Sequence, residues 1–227
     1  MYAFEVNRQF VPFTAVGPRA REIMRFFGVS LDALRKKTTA YRLSLSLHPG
    51  QICVISGPSG AGKSVLLNAL CGQIPPDRRI RIDDIPLESQ VSVMDCFDAP
   101  ARETLPLLCR AGLSDVWCLL QPPALLSDGQ NWRYRLAKAL TTPAQFLVAD
   151  EFCAALDTTT ALVIAYQLRR LTRRTGRIAI LAGPREDILA ELNPDVLVSV
   201  NGPRVEVLYA DSKQMQTTAQ ERSVATQ

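Results

Sequence analysis

Between positions 57 and 64 the chain reads Gly57-Pro58-Ser59-Gly60-Ala61-Gly62-Lys63-Ser64, the spacing GxxxxGK[ST], whose chemistry is the holding of phosphate. Successive backbone N–H groups of such a loop form an anion-binding nest, and a helix N-terminus behind them adds roughly half a positive charge. Lys63 has the reach for the β- and γ-phosphates of a nucleotide, and the Ser64 hydroxyl is a ligand for Mg²⁺. Gly57 and Gly62 let the backbone approach without a side-chain clash. Such a loop must leave a strand and enter a helix. Residues 52–55 are a short apolar run suited to a buried parallel strand, and Val65-Leu66-Leu67-Asn68-Ala69-Leu70 lacks Gly and Pro and suits a helix. Val65, following Ser64, belongs to the same binding segment.

A second group complements the first. Phe146-Leu147-Val148-Ala149-Asp150-Glu151 is an apolar strand with two carboxylates at its tip. Beside a phosphate loop, Asp150 is the expected Mg²⁺ partner and Glu151 the residue that orients or deprotonates an attacking water. An ordinary solvated acidic cap is the alternative for this pair. Lys63 upstream favours the first reading, an ATPase with Lys63 and Glu151 as its catalytic side chains.

The elements that must position these groups follow from patterning. The 227 residues suffice for one α/β domain with an inserted helical part, expected over 1–210 with the insertion at about 98–140. Residues 2–6 read as an edge strand, 19–27 as a helix after Pro18 and 31–37 as a short helix behind Ser30. Residues 41–47 alternate as a half-exposed strand that Pro49-Gly50 turns into 52–55 as a hairpin. Strands are expected at 79–82 and 91–94, with Asp83-Asp84 as a turn between them. Pro100, Pro106, Pro122 and Pro123 separate short helical pieces. A helix over 132–140, a long helix over 158–174 capped by Asp157, strands at 146–149 and 178–181, a short helix at 185–192 and a hairpin over 196–208 complete the pattern. The polar residues 211–227 predict a disordered tail.

Composition excludes several classes. Net charge is +4 with 21% charged residues, which demands no nucleic-acid partner. Six cysteines without a CxxC pair and the single His48 predict neither a zinc site nor a disulfide framework. No apolar run approaches the ~20 residues of a membrane span, and residues 1–10 carry Glu5 and Arg8 without a signal-peptide core, so a cytoplasmic protein is expected.

Leu126-Ser127-Asp128-Gly129-Gln130, lying between the two carboxylate and phosphate motifs, resembles the LSGGQ signature of the ABC-type ATPases. Arg133, Leu136-Ala137, Lys138 and Ala139-Leu140 look like the helix after that signature, and Ala154-Ala155-Leu156-Asp157 like the D-loop behind the Walker B strand. The likeness covers roughly residues 41–200, with four motifs in the family's order. It implies a P-loop NTPase fold: a RecA-like parallel sheet, an antiparallel β-subdomain and a short helical subdomain. It further implies ATP and Mg²⁺, and a homodimer or heterodimer in which Ser127, Gly129 and Gln130 of one subunit face the γ-phosphate held by the other. Phe152-Cys153, where many members have Pro-Thr, together with Leu126-Ser127-Asp128-Gly129-Gln130, resembles a prokaryotic branch found attached to acetyltransferase-like domains.

Departures from the family pattern bear on the job. Pro184 stands where the switch histidine is expected, so hydrolysis is expected to be slow unless Arg185 substitutes. Asp128 replaces a glycine and would set a carboxylate near the partner's phosphates. In place of a Q-loop glutamine, Asp95 after the 91–94 strand is the expected Mg²⁺-side residue. Phe13 and Tyr41 are the candidates for adenine stacking, against a role in core packing. Arg169, Arg170, Arg173, Arg174 and Arg177 suit either a nucleic-acid contact or a solvated helix C-terminus.

Three functions are compatible with these residues. A soluble ABC-type ATPase acting on a protein or nucleic-acid partner is favoured. The others are an ATP-binding subunit of a transporter with separate membrane subunits, and a weakly hydrolysing ATP-dependent switch.

Overall fold

The computed structural model describes residues 1–10, 16–35, 39–154 and 156–210. The expected tail at 211–227 and Phe13 lie outside the described residues.

Two sheets organise the chain. The larger has six strands in the order β4 (Arg79–Arg81), β5 (Phe146–Ala149), β6 (Ile178–Ala182), β3 (Ile52–Ser56), β7 (Val196–Asn201) and β8 (Arg204–Tyr209). Every neighbouring pair is parallel except β7–β8. The smaller is the antiparallel pair β1 (Tyr2–Phe10) and β2 (Thr39–Leu47). Between them the chain forms α1 (Pro18–Phe26) and α2 (Leu31–Arg35).

Strand β3 shows why the apolar runs lie in the middle. Ile52 and Val54 face one core, and Cys53 and Ile55 face the other, so a strand covered on both faces needs apolar residues at every position. One face packs against α3 (Lys63–Cys71), through Leu66, Leu67 and Leu70, and against Phe4, Tyr41, Leu43, Leu45 and Leu47 of the small sheet. The opposite face packs against α6 (Asp128–Thr141) and α7 (Thr158–Thr175). Asp157 caps α7 by accepting the Thr160 N–H, and Gly176 ends it in the left-handed conformation.

Several expectations change. Strand β2 does not form a hairpin with β3: both edges of β3 are taken by β6 and β7, and β2 pairs with β1. Its alternation marks one buried face and is silent about the partner. Residues 91–94 are not a strand. Val93 is buried and its N–H donates to the Gln121 carbonyl, while Met94–Cys96 forms a 3₁₀ turn packed on α4 (Ala101–Arg110). Pro106 lies inside α4 and does not divide it. The other insertion helix is α5 (Val116–Leu120), and α8 (Leu189–Leu192) follows a 3₁₀ turn at Glu186–Ile188.

Candidate functional site

The end of β3 delivers the phosphate loop onto α3. Three of its glycines have positive φ: Gly57 at 153°, Gly60 at 75° and Gly62 at 97°. Space is decisive at two of them. A Cβ on Gly57 would lie 2.1 Å from the Val200 carbonyl oxygen, and one on Gly62 would lie 2.0 Å from Tyr41 Oη. Pro58, Ser59 and Gly60 form the exposed turn, and Ala61 is buried beneath it with its N–H donating to Pro58 O. Lys63 Nζ folds over the loop and donates to Gly57 O and Pro58 O, both at 2.9 Å. Ser64, on the first turn of α3, is exposed, and Val65 packs on the core behind it.

Tyr41 is buried and donates from Oη to Ala61 O at 2.9 Å. It props the loop from below with its ring buried, which is the core-packing alternative to adenine stacking.

Strand β5 ends beside the loop. Gly183, after β6, links the two halves: a Cβ there would lie 3.3 Å from Lys63 Cε and 3.6 Å from Glu151 Cα. Asp150 and Glu151 therefore reach the lysine's neighbourhood through one glycine with φ of 64°. Glu151 itself has φ of 46°, a conformation that costs a non-glycine residue about 1–2 kcal/mol. A cavity of about 640 Å³ opens here, lined by Asp83, Trp132, Asp150, Glu151 and Ala154.

Asp83 is the residue the sequence reading missed. It follows β4, the strand beside β5, and its Oδ2 accepts the Asp150 N–H at 2.7 Å. Burial pushes its carboxyl up, while that hydrogen bond and the Arg81 and Arg135 charges pull it down. A signal existed: Asp83-Asp84 closes a strand as Asp150-Glu151 does. Asp95, the residue expected in this place, does not line the cavity. It hydrogen-bonds Ser92 in the 3₁₀ turn on the insertion.

The signature opens α6. Ser127 Oγ accepts the Gln130 N–H, and Gln130 Oε1 accepts the Ser127 N–H at 3.0 Å, a reciprocal cap. Gly129 is set against α7, where a Cβ would lie 2.7 Å from Thr160 Cγ2. These residues line a separate cavity of about 320 Å³ with Asp128, Arg133, Leu156, Asp157 and Thr160. Asp128 stands in the first turn of α6, where a carboxylate suits the helix dipole but opposes an incoming phosphate.

Arg185 is engaged elsewhere. Its guanidinium donates to Leu156 O and Thr158 Oγ1, each at 2.7 Å, and pairs with the Asp187 carboxylate. It ties the segment after β6 to the D-loop and the start of α7, so it is not free to replace the missing histidine. Pro184 is buried beside it.

The arginine cluster at the end of α7 is largely spent on structure. Arg169 pairs with Glu191 and Arg173 with Asp195, while Arg177 donates to the carbonyls of Ala139, Leu140 and Thr142 at the end of α6. Burial pushes the Cys53 and Cys153 thiols up to about 12, so both are packing groups.

Ser64 and Asp150 offer the hard oxygen donors Mg²⁺ takes. Among the described residues no group of three or more His, Cys, Asp or Glu is arranged to hold a metal by itself.

The chain is similar to known proteins. The ABC transporter family matches residues 41–104. The zinc import ATP-binding protein ZnuC of Yersinia pestis is 32% identical over 151 residues, 59% of each chain, so this chain spans 59% of that relative's length. The taurine import ATP-binding protein TauB of Pseudomonas aeruginosa is 32% identical over 197 residues, 73% of each chain. In structure the fold is similar to cbiO1 from Clostridium perfringens, part of the transporter complex cbiONQ, with a TM-score of 0.64 and 22% identity over 81% of this chain and 85% of that one. With that 32% identity over 73% of both lengths, the chain belongs to the ABC transporter family of ATP-binding proteins.

Proposed function

We propose that this chain binds Mg-ATP and hydrolyses it as one half of a nucleotide-sandwich dimer. The observation that carries the reading is Gly183, which has Lys63 on one side and Glu151 on the other within van der Waals reach of a single Cβ position. The loop residues from Gly57 to Val65 cradle the phosphates, and Lys63 leaves its two carbonyl acceptors for the β- and γ-phosphates. Ser64 and Asp150 hold Mg²⁺, which supplies charge neutralisation on the transferring phosphoryl group. Glu151 orients the attacking water and takes its proton. Asp83 keeps the tip of β5 in place through the Asp150 N–H.

The second cavity supports the dimer. No residue lining the signature cavity also lines the one at Glu151, so Ser127, Gly129 and Gln130 serve a phosphate brought by another subunit. Steady-state hydrolysis measured against protein concentration tests this, with Glu151→Gln as control. Specific activity should rise with concentration and vanish in the control. A rate per subunit independent of concentration down to monomeric protein overturns the sandwich.

A second reading concerns the partner. The relatives are ATP-binding proteins of importers, and the insertion exposes Val116, Trp117, Leu120 and Leu125 at 60–79% of their surface. Separate membrane subunits covering that face would make the chain a transporter subunit. No helix among the described residues is long and apolar enough to cross a membrane itself. Co-purification of the protein with an integral membrane chain, lost in Trp117→Asp, separates this from action on a soluble partner.

A further inference from the structure

Helices α1 and α2, between β1 and β2, line neither the cavity at Glu151 nor the one at the signature, and the composition around them is unlike the rest of the chain. Residues 17–37 hold six basic side chains, Arg19, Arg21, Arg25, Arg35, Lys36 and Lys37, against Glu22 and Asp32. The surplus of +4 equals the net charge of the whole protein.

Helix α1 is amphipathic. At 100° per residue, Ala20, Ile23, Met24 and Phe27 follow one another at i, i+3, i+4 and i+7, Phe26 extends that face past Arg19, whose long side chain can lift its charge to the interface, and Arg21 and Arg25 project on the other side. None of its residues is buried. Ile23 is 55% exposed, Phe26 74% and Phe27 76%, and Val29 and Leu31, which follow the helix, are exposed as well. Against it lies a cavity of about 340 Å³ whose lining includes Arg21, Arg25, Met24 and Val29. Neither guanidinium has an ion pair or hydrogen bond among the described residues.

We propose that α1 is a docking surface for an anionic membrane face, with Ile23, Phe26 and Phe27 entering the headgroup–acyl boundary and Arg21 and Arg25 holding lipid phosphates. The juxtaposition is the one an interfacial helix needs: a bulky apolar face, arginines on the polar face and low net hydrophobicity. Two other occupants fit less well. A second copy meeting this face across a two-fold axis would set one +4 segment against another. Nucleic acid would use the arginines but would leave Ile23, Met24 and Val29 in water.

The test uses the full chain without nucleotide, so it does not depend on hydrolysis. Flotation with phosphatidylglycerol vesicles should recover the protein, and phosphatidylcholine vesicles should not. The double variant Phe26→Glu/Phe27→Glu and the double variant Arg21→Gln/Arg25→Gln should each weaken partitioning on the order of tenfold or more. Because all four side chains are exposed, three on α1 and Phe27 at its C-cap, unchanged Mg-ATP binding reports that the variants are folded. A Phe27→Trp variant should show a blue shift in emission on adding anionic vesicles, beyond any shift in the parent protein. No recovery with anionic vesicles overturns the proposal, as does equal binding to both lipids. Lipid-free dimerisation lost in the phenylalanine variant assigns the face to a second copy. Duplex DNA binding lost only in the arginine variant assigns it to nucleic acid, and either result overturns the proposal.

Discussion

Asp83 Oδ2 accepts the backbone N–H of Asp150 at 2.7 Å, so the residue after β4 holds the tip of the neighbouring strand that carries both candidate catalytic carboxylates. Asp83→Ala leaves that N–H without its acceptor in a half-buried place, at a cost of about 1–3 kcal/mol. Hydrolysis should fall with it, because the carboxylates lose their registration. Asp83→Asn keeps an oxygen acceptor and should recover most of the stability. Urea unfolding of the three proteins checks the ordering; equal losses for Ala and Asn would show that charge, not the hydrogen bond, is what matters.

Glu151→Gln should reduce hydrolysis on the order of 10²–10⁴-fold and leave Mg-ATP binding intact, since the amide can orient a water but cannot take its proton. Single-turnover assays beside nucleotide titration separate the two effects. Glu151→Gly relieves the backbone conformation at φ of 46° and should raise stability while remaining inactive.

Two glycines of the loop should respond differently. Around Gly60 a Cβ meets nothing within 4 Å, so Gly60→Ala pays only the left-handed conformation, about 1–2 kcal/mol. At Gly62 the Cβ would stand 2.0 Å from Tyr41 Oη, so Gly62→Ala must displace the ring that supports Ala61. Nucleotide affinity measured with a fluorescent analogue should fall far more for Gly62→Ala, and Tyr41→Ala should not restore it fully because φ is 97°.

Arg185→Ala should loosen the D-loop by removing donors to Leu156 O and Thr158 Oγ1. With the guanidinium about one third exposed, the stability loss should be modest, about 1 kcal/mol. Arg185→Lys should not repair it, since an ammonium lacks the planar fork that serves three acceptors at once. If hydrolysis depends on D-loop position in the dimer, activity falls more than stability in both variants; parallel decline in activity and melting temperature would assign Arg185 to folding alone.

Acid sensitivity should depend on Asp157. The Thr160 N–H holds its carboxyl below the usual carboxylate range, so the folded form binds its proton less readily than the unfolded chain. Its stabilisation is present above the ordinary aspartate range and is lost as pH falls through the lowered folded value. Asp83 has the opposite sign: its raised carboxyl makes stability fall as pH rises through the carboxylate range. Asp157→Asn should flatten the acid limb of a melting-temperature profile, and Asp83→Asn should remove a fall in stability with rising pH across the carboxylate range.

Local chemistry was enough to place the phosphate loop, the strand with Asp150 and Glu151 and the Asp157 cap, because each is decided by residues within a few positions of one another; the helix expected over 132–140 begins a turn earlier, at Asp128 behind the Ser127 cap. A loop that needs positive φ must carry glycine, a strand covered on both faces must be apolar throughout, and a helix start must supply acceptors for its free N–H groups. Partnership between distant segments was not legible. The pairing of β2 with β1 instead of β3, the presence of Asp83 and not Asp95 beside Asp150, the burial of Tyr41 under Ala61 and the engagement of Arg185 with Leu156 all join residues separated by tens of positions. Such contacts are set by which sheet edge is vacant and which side chain fills the space behind a backbone turn. Periodicity along one segment carries no information about either, so the tertiary structure alone decided them.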